Sequence, residues 1–175
     1  MTRSSLCALA GLLLWSAAPA FAQPLTDAQI AAIVVTANQV DVDAGRVAAT
    51  RSSSDAVKTF ANLMVTDHTA VNASATALAT KLHLTPAENA TSQALKDGGT
   101  KNLAALKALD GKAFDRAYVA HEVTYHQAVL DALDKQLVPG ASNAELKALL
   151  VKVRPAFVAH LEHAKHLAAE LGGSK

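Results

Sequence analysis

Thiol chemistry is almost missing from this sequence: its one cysteine, Cys7, lies inside an N-terminal stretch with the marks of an export signal. Disulfide scaffolds, thiolate zinc sites, iron–sulfur ligation and cysteine nucleophiles are thereby excluded for the chain left after cleavage. Cys7 also precedes most of the signal's apolar run, the wrong place for a lipid-modified cysteine. Aromatic residues are scarce, at 4% of 175 positions, and strand-like alternation is nearly absent, which leaves helices to build the core.

A dominant charge is missing too. Lys and Arg total 16, one of them Arg3, so cleavage leaves 15 basic against 15 acidic residues, with neither sign gathered into a block. Nothing in that balance points to nucleic acid or an anionic membrane as a partner. Beyond the signal, no stretch approaches the roughly 18 uninterrupted apolar residues that span a bilayer. G-x-S-x-G, the Walker loop, G-x-G-x-x-G and His-Glu-x-x-His are all absent, which removes the corresponding hydrolase, nucleotide-binding and zincin protease chemistries.

What is present begins with the signal itself. Arg3 supplies a positive start, Leu6 to Trp15 a short apolar run, and Ala20-Phe21-Ala22 an A-x-A cleavage site before Gln23. The expected organisation is a signal peptide over 1–22 and one domain over 23–175, soluble and placed in the periplasm or secreted.

Apolar residues recur at steps of three and four through most of that domain, the pattern of an all-α chain. Thr26 is a candidate N-cap for a helix over 27–49, and Ser52-Ser53-Ser54 breaks it before a second over 55–82. Pro86 suits the first residue of a helical turn, and the weakly periodic segment to Ala108, interrupted by Asp97-Gly98-Gly99, reads as a connecting helix or two short ones. A third long helix is expected over 112–136, with Pro139-Gly140 as its stop. A fourth follows over 143–171, with a kink or break near Arg154 from Pro155. These elements make an up-down four-helix bundle with an additional short connecting helix, readable as two helical hairpins.

Seven histidines fall in this domain, and the apolar stripes locate the informative ones. The second-helix stripe 57, 60, 64, 68, 71, 75, 78, 82 passes through His68; the fourth, 146, 149, 153, 157, 160, 164, 167, 171, through His160. The third, 119, 123, 126, 130, 133, 137, places His126 inward, and the first, 30, 33, 37, 41, 44, 48, passes through Asp41. A buried polar group without a partner costs on the order of 2–7 kcal/mol, so four such groups at core positions should converge. Neutral imidazole with carboxylate suits zinc, copper, nickel or iron. The expected site is a transition metal on His68, His126 and His160, with Asp41 as a fourth ligand; a metal-free polar network among the same groups is the competing account.

Other polar residues rank below these. Glu122, one turn before His126, is a ligand candidate or a carboxylate that orients that ring, an ordinary helix ion pair being the plain alternative. His163, three residues after His160, is a further candidate for the same ion, although a solvated face suits it and His166 better. His121 stands about 140° around its helix from His126, so the two do not share one centre. His83 reads as a cap or surface residue, Asp67 points away from the stripe, and Tyr118 and Tyr125 are packing residues whose hydroxyls finish the network. Gly45 inside a helix costs roughly 1 kcal/mol against alanine, which fits close helix approach. A ferritin-type di-iron centre uses Glu-x-x-His on two helices, and none occurs here.

The segments Asp41-Val42-Asp43-Ala44-Gly45, Phe60 through Met64 to Asp67-His68, Phe114-Asp115-Arg116-Ala117-Tyr118 with His126 after it, and Pro155 followed by His160 resemble domain-of-unknown-function family 4142. Those are exported bacterial proteins with a ferritin-like bundle, and the likeness runs from about Leu25 to Leu171. It implies a ferritin-like fold and a metal-site role for His68, His126 and His160, and brings no established activity. Where the family usually has glutamate on the first helix this chain has the shorter Asp41, and His121 stands where glutamine is expected.

The leading functional expectation is an exported metal-binding bundle with a structural, redox or stress-related ion. The alternative is a metal-free helical interaction or structural module acting on a protein partner in the cell envelope. An enzymatic variant, a mononuclear oxidoreductase, requires an open coordination position.

Overall fold

Thr26 starts the first helix by a capping box: its hydroxyl accepts from the Gln29 N–H at 3.3 Å, and the Gln29 side chain accepts from the Thr26 N–H at 3.0 Å. The computed structural model describes residues 24–173, so the expected signal peptide, 1–22, lies outside the described residues. From Thr26 the chain builds α1 (Asp27–Arg51), α2 (Asp55–Lys81), α3 (Ala90–Lys107), α4 (Gly111–Ala132) and α5 (Ala144–Gly173). Among the described residues there are no strands.

Three local expectations are corrected. Pro86 does not open a helix; the chain stays non-helical until Asn89, whose side chain caps Thr91 and Ser92 and starts α3 as one piece straight through Gly98-Gly99. The third long helix does not end at 136: a π-turn (Leu133–Leu137) and a last helical turn (Val138–Gly140) carry the chain on to Pro139-Gly140, where the helical run stops. Pro155 does not break α5. Its ring costs the Val151 carbonyl a helical partner, but that part of the helix faces water, with Val151 53% exposed, so solvent takes the place of the lost bond.

The most extensive packing is of α1 on α2 and of α4 on α5, two hairpins whose helical runs are separated by the non-helical residues 52–54 and 141–143. Contacts of α2 with α5 and of α1 with α4 close the ring, while α3 lies outside it against α1. One apolar core gathers Ile30, Ala75, Leu130, Leu146, Leu150 and Phe157 at the end where α1 begins. The other gathers Ala48, Val57, Phe60, Phe114, Tyr118 and Leu167 at the end where α1 finishes. Asp41, His68, His126 and His160 occupy mid-helix positions between the two.

Two contacts set how closely the helices approach. A Cβ on Gly45 would stand 3.0 Å from both the Ala61 carbonyl oxygen of α2 and a Val65 methyl, and one on Gly99 would stand 2.8 Å from Val40. Buried Asp115 on α4 accepts from the Ser52 and Ser53 hydroxyls at 2.6 Å each, tying the α1–α2 turn to the second hairpin.

Gly45→Ala should therefore destabilise despite alanine's better helix propensity, because a backbone carbonyl cannot step aside; about 1 kcal/mol, or a melting midpoint lowered by about 2–4 °C, is expected in thermal unfolding. His83 sits past the end of α2 at φ 53°, where the Leu84 N–H closes on the Ala79 carbonyl at 2.9 Å. That left-handed position favours glycine, so His83→Gly should raise stability by about 1 kcal/mol in the same measurement.

Candidate metal centre

Each of α1, α2, α4 and α5 delivers a ligand candidate to the middle of the bundle in register with its apolar stripe, and α4 adds a second, Glu122. Asp41, His68, Glu122, His126 and His160 are all at most 3% exposed. Asp41 Oδ2 lies 2.9 Å from His68 Nε2 and 3.5 Å from His126 Nε2, and the two Nε2 atoms are 3.3 Å apart. Neither Asp41 oxygen has an aligned hydrogen bond.

The protons of these rings are fixed from behind. Asn38 donates from Nδ2 to the Val34 carbonyl at 2.7 Å, which turns its Oδ1 toward His68 Nδ1, also at 2.7 Å. An amide oxygen only accepts, so His68 carries its proton on Nδ1. His126 Nδ1 meets the Glu122 carbonyl at 3.1 Å and is a donor for the same reason. His160 Nε2 donates to Asp67 at 2.9 Å, leaving its Nδ1 buried and without a partner. His68 and His126 thus turn their Nε2 atoms toward the Asp41 carboxylate, an arrangement that suits a cation or a shared proton between them.

The donor spacing fits an ion. A point equidistant from Asp41 Oδ2 and the two Nε2 atoms stands about 1.9 Å from each, against about 2.0–2.2 Å for bonds from zinc to imidazole and carboxylate. His68, His126 and His160 each offer a nitrogen within 4.8 Å of the others, and Asp41, Glu122 and His126 form a second such group through the shared His126.

Electrostatics agree with a cation-seeking centre. Burial, the largest influence on Asp41, raises its pKa, but the His68 contact and attraction to His68 and His126 prevail and hold it below the usual carboxylate value. Burial and then the charge of Asp41 push Glu122 well above its ordinary value, favouring the protonated acid. Both Glu122 oxygens and the Tyr118 hydroxyl are buried without hydrogen-bond partners. Burial lowers the His160 pKa against the pull of Asp67, favouring the neutral ring that binds metals.

Phe157 lies nearly parallel to the His68 ring, at 5.1 Å between centroids, and covers it. A cavity of about 10 Å³, room for a single water-sized group, adjoins Asp41, His68 and His126. Tyr125 borders it, and its hydroxyl donates to the Ala37 carbonyl at 2.9 Å instead of joining the polar cluster.

The remaining candidates fall elsewhere. His163 is exposed, its ring set edge-on against Phe60 at 5.0 Å, and it belongs to neither ligand group. His121 is half-buried and stacks on Tyr125. Asp67, expected to point away, instead holds His160. Asn38 went unnoticed in the sequence; its signal is a polar residue one turn before Asp41 on the same helix.

No curated protein and no solved structure matches this chain. One family model does, over residues 15–167, and its description is a domain of unknown function. With most of its length covered by that model, the chain belongs to the DUF4142 family.

Proposed function

We propose that this protein is an exported, ferritin-like four-helix bundle that holds a transition-metal ion at mid-height on Asp41, His68, His126 and His160, with Glu122 as an adjoining carboxylate. The observation that carries this is the convergence of the His68 and His126 Nε2 atoms on Asp41, with Asn38 and the Glu122 carbonyl holding the far side of each ring, and with His160, held by Asp67, within 4.8 Å of both rings. Export rests on the sequence of residues 1–22, and the ferritin-like assignment on the family and the pairing of two hairpins.

Zinc, copper, nickel and iron all suit three imidazoles and a carboxylate. When bound, the ion supplies Lewis-acid or redox chemistry; the chain's own residues hold and orient it. Asn38 and Asp67 keep His68 and His160 in the tautomers that expose a ligand nitrogen, and Phe157 shields the His68 ring from water. A redox-active ion in so dry a site suits a stress-related role in the envelope, whereas zinc would make the centre structural.

A metal-free alternative has one observation in its favour: the lowered Asp41 pKa is consistent with a buried imidazolium–aspartate pair of His68 and Asp41. Element analysis of protein purified without a polyhistidine tag separates the two. About one equivalent of metal is expected, and less than about a tenth after reloading favours the ion pair. A chelator should lower the melting midpoint, because an ion bound only to the folded form stabilises it by mass action. His126→Ala should abolish that response, and an unchanged response would remove His126 from the site. Asn38→Ala, which frees the His68 ring but removes no ligand, should weaken metal affinity about 10–100-fold by competition titration while the helical circular dichroism persists.

A further inference from the structure

A cavity of about 480 Å³ opens between α1, α3 and the connection that leads from α2 into α3, and no residue of the metal centre lines it. It exists because this seam is built of small side chains: Ala32 and Thr36 line it from α1, Gly99 and Thr100 from α3, where larger residues would fill the space. Its walls are fixed. The Ala87 N–H donates to the Ala28 carbonyl at 2.9 Å and Asn89 Nδ2 to the Gln29 carbonyl at 3.2 Å, which ties the connection down on α1. Gly99 packs on Val40 so closely that a Cβ there would stand 2.8 Å from it. A preformed space of about 300–1,000 Å³ with mainly apolar walls and a few polar groups is the usual form of a small-molecule site.

Val35, Val40, Pro86 and Leu103 give the cavity its apolar surface. Its charged residues are Asp43, Glu88 and Lys96, and two of them satisfy each other, since Lys96 pairs with Glu88. Asp43 is left over. Gln39 Nε2 donates to Asp43 Oδ1 at 2.8 Å, while Arg46 Nη1 stands 3.6 Å from that oxygen, beyond a hydrogen bond, on a side chain 63% exposed. Among the described residues no group donates to Asp43 Oδ2, and the Thr36 hydroxyl has no hydrogen-bond partner. Gln39 has spent an amide proton on Asp43 and keeps its Oε1 as an acceptor. An occupant therefore meets apolar walls, surplus acceptors and one uncompensated negative charge, which favour a positively charged donor over an anion.

We propose that this cavity binds a small amphipathic organic cation, a protonated amine whose nitrogen meets Asp43 and whose apolar body lies on Val35, Val40 and Leu103. The Asp43 side chain is 42% exposed, so its charge gives preference more than strength, and burial of the apolar body supplies most of the affinity.

The probe is tryptamine, an indole with an ammonium arm, with neutral tryptophol and anionic indole-3-propionate as matched controls. Titrated into the isotope-labelled full-length protein, tryptamine should shift the amide resonances of Thr36, Val40, Gly99 and Thr100 with a Kd below about 1 mM, about fivefold tighter than tryptophol. Indole-3-propionate should bind more weakly than either. Asp43→Asn keeps the side chain's shape and the acceptor for Gln39, and should weaken tryptamine about fivefold while leaving tryptophol unchanged. Thr100→Leu, at an exposed helical position, should fill the cavity and weaken both ligands at least about tenfold. No saturable shift by about 10 mM tryptamine overturns the proposal, as do shifts confined to another face, equal affinity for tryptamine and tryptophol, or an Asp43→Asn variant that binds tryptamine as the wild type does. Metal content should be the same in both variants, so a negative result here leaves the metal reading standing.

Discussion

Two carboxylates and three imidazoles share the dry middle of this bundle, and their ion-pair contacts are with one another or with Asp67, not with lysine or arginine. Every other feature of the interior accommodates that constraint. An isolated charge at such a depth costs several kcal/mol, so the layer persists only if something neutralises it. The cluster has two ways to do so: protonate Glu122 and one ring, or hold a dication against Asp41 and Glu122. The second leaves the Asn38, Glu122 and Asp67 contacts as they stand, since each already points a ring proton outward.

The fold clamps this layer from both ends. Asp27 accepts from the Ser142 and Asn143 N–H groups at 2.8 and 2.9 Å, fixing the start of α1 to the α4–α5 connection. At the opposite end Asp115 gathers the serine turn, and Arg51 binds the Leu109 carbonyl and the Asp110 carboxylate. Midway along α5, Arg154 pairs in bidentate fashion with Asp134 in the π-turn at 2.7 Å per bond. These polar ties hold register, while the apolar cores on either side exclude water. Ligand atoms on separate helices stay within hydrogen-bonding distance of one another because neither hairpin is free to slide.

The four buried polar side chains at the centre were legible because a polar residue in an apolar stripe is conspicuous and the 3.6-residue period fixes where it points. Residues whose burial comes from a second contact face were not. On α1, Asn38, Val42 and Gly45 are buried besides the expected stripe, since that helix packs against α2, α3 and α4 at once and has little exposed face left. A single-stripe reading of α1 passes over Asn38. On α4 the buried face is turned toward Phe114, Tyr118 and Glu122 while Val123 is only half-buried, which moves Glu122 from an ordinary ion pair into the centre. Asp67 lies a step off the α2 stripe, yet its oxygen reaches over the bundle's edge to His160, a contact that depends on where α5 sits. The tolerated prolines share a physical cause as well. Pro155 lies on a wet surface, where water can replace the lost backbone bond, and Pro139 falls in the helical turn just after a widened one that already departs from the regular ladder.

Asp41 has a short side chain, yet its oxygen reaches both His68 and His126. The helix itself makes up the difference. Gly45 lies one turn after Asp41 on the same face, and with Ala44, Ala48 and Ala61 nearby the α1 backbone comes close enough to α2 that a Cβ would press on the Ala61 carbonyl. A longer side chain would have to fold back in so narrow a gap, whereas aspartate, with one fewer rotatable bond, meets the rings directly and loses less conformational entropy on being fixed. The glycine that costs α1 some intrinsic helicity thus places a short carboxylate where the two imidazoles need it, and the small-residue contact and the polar cluster are one structural solution.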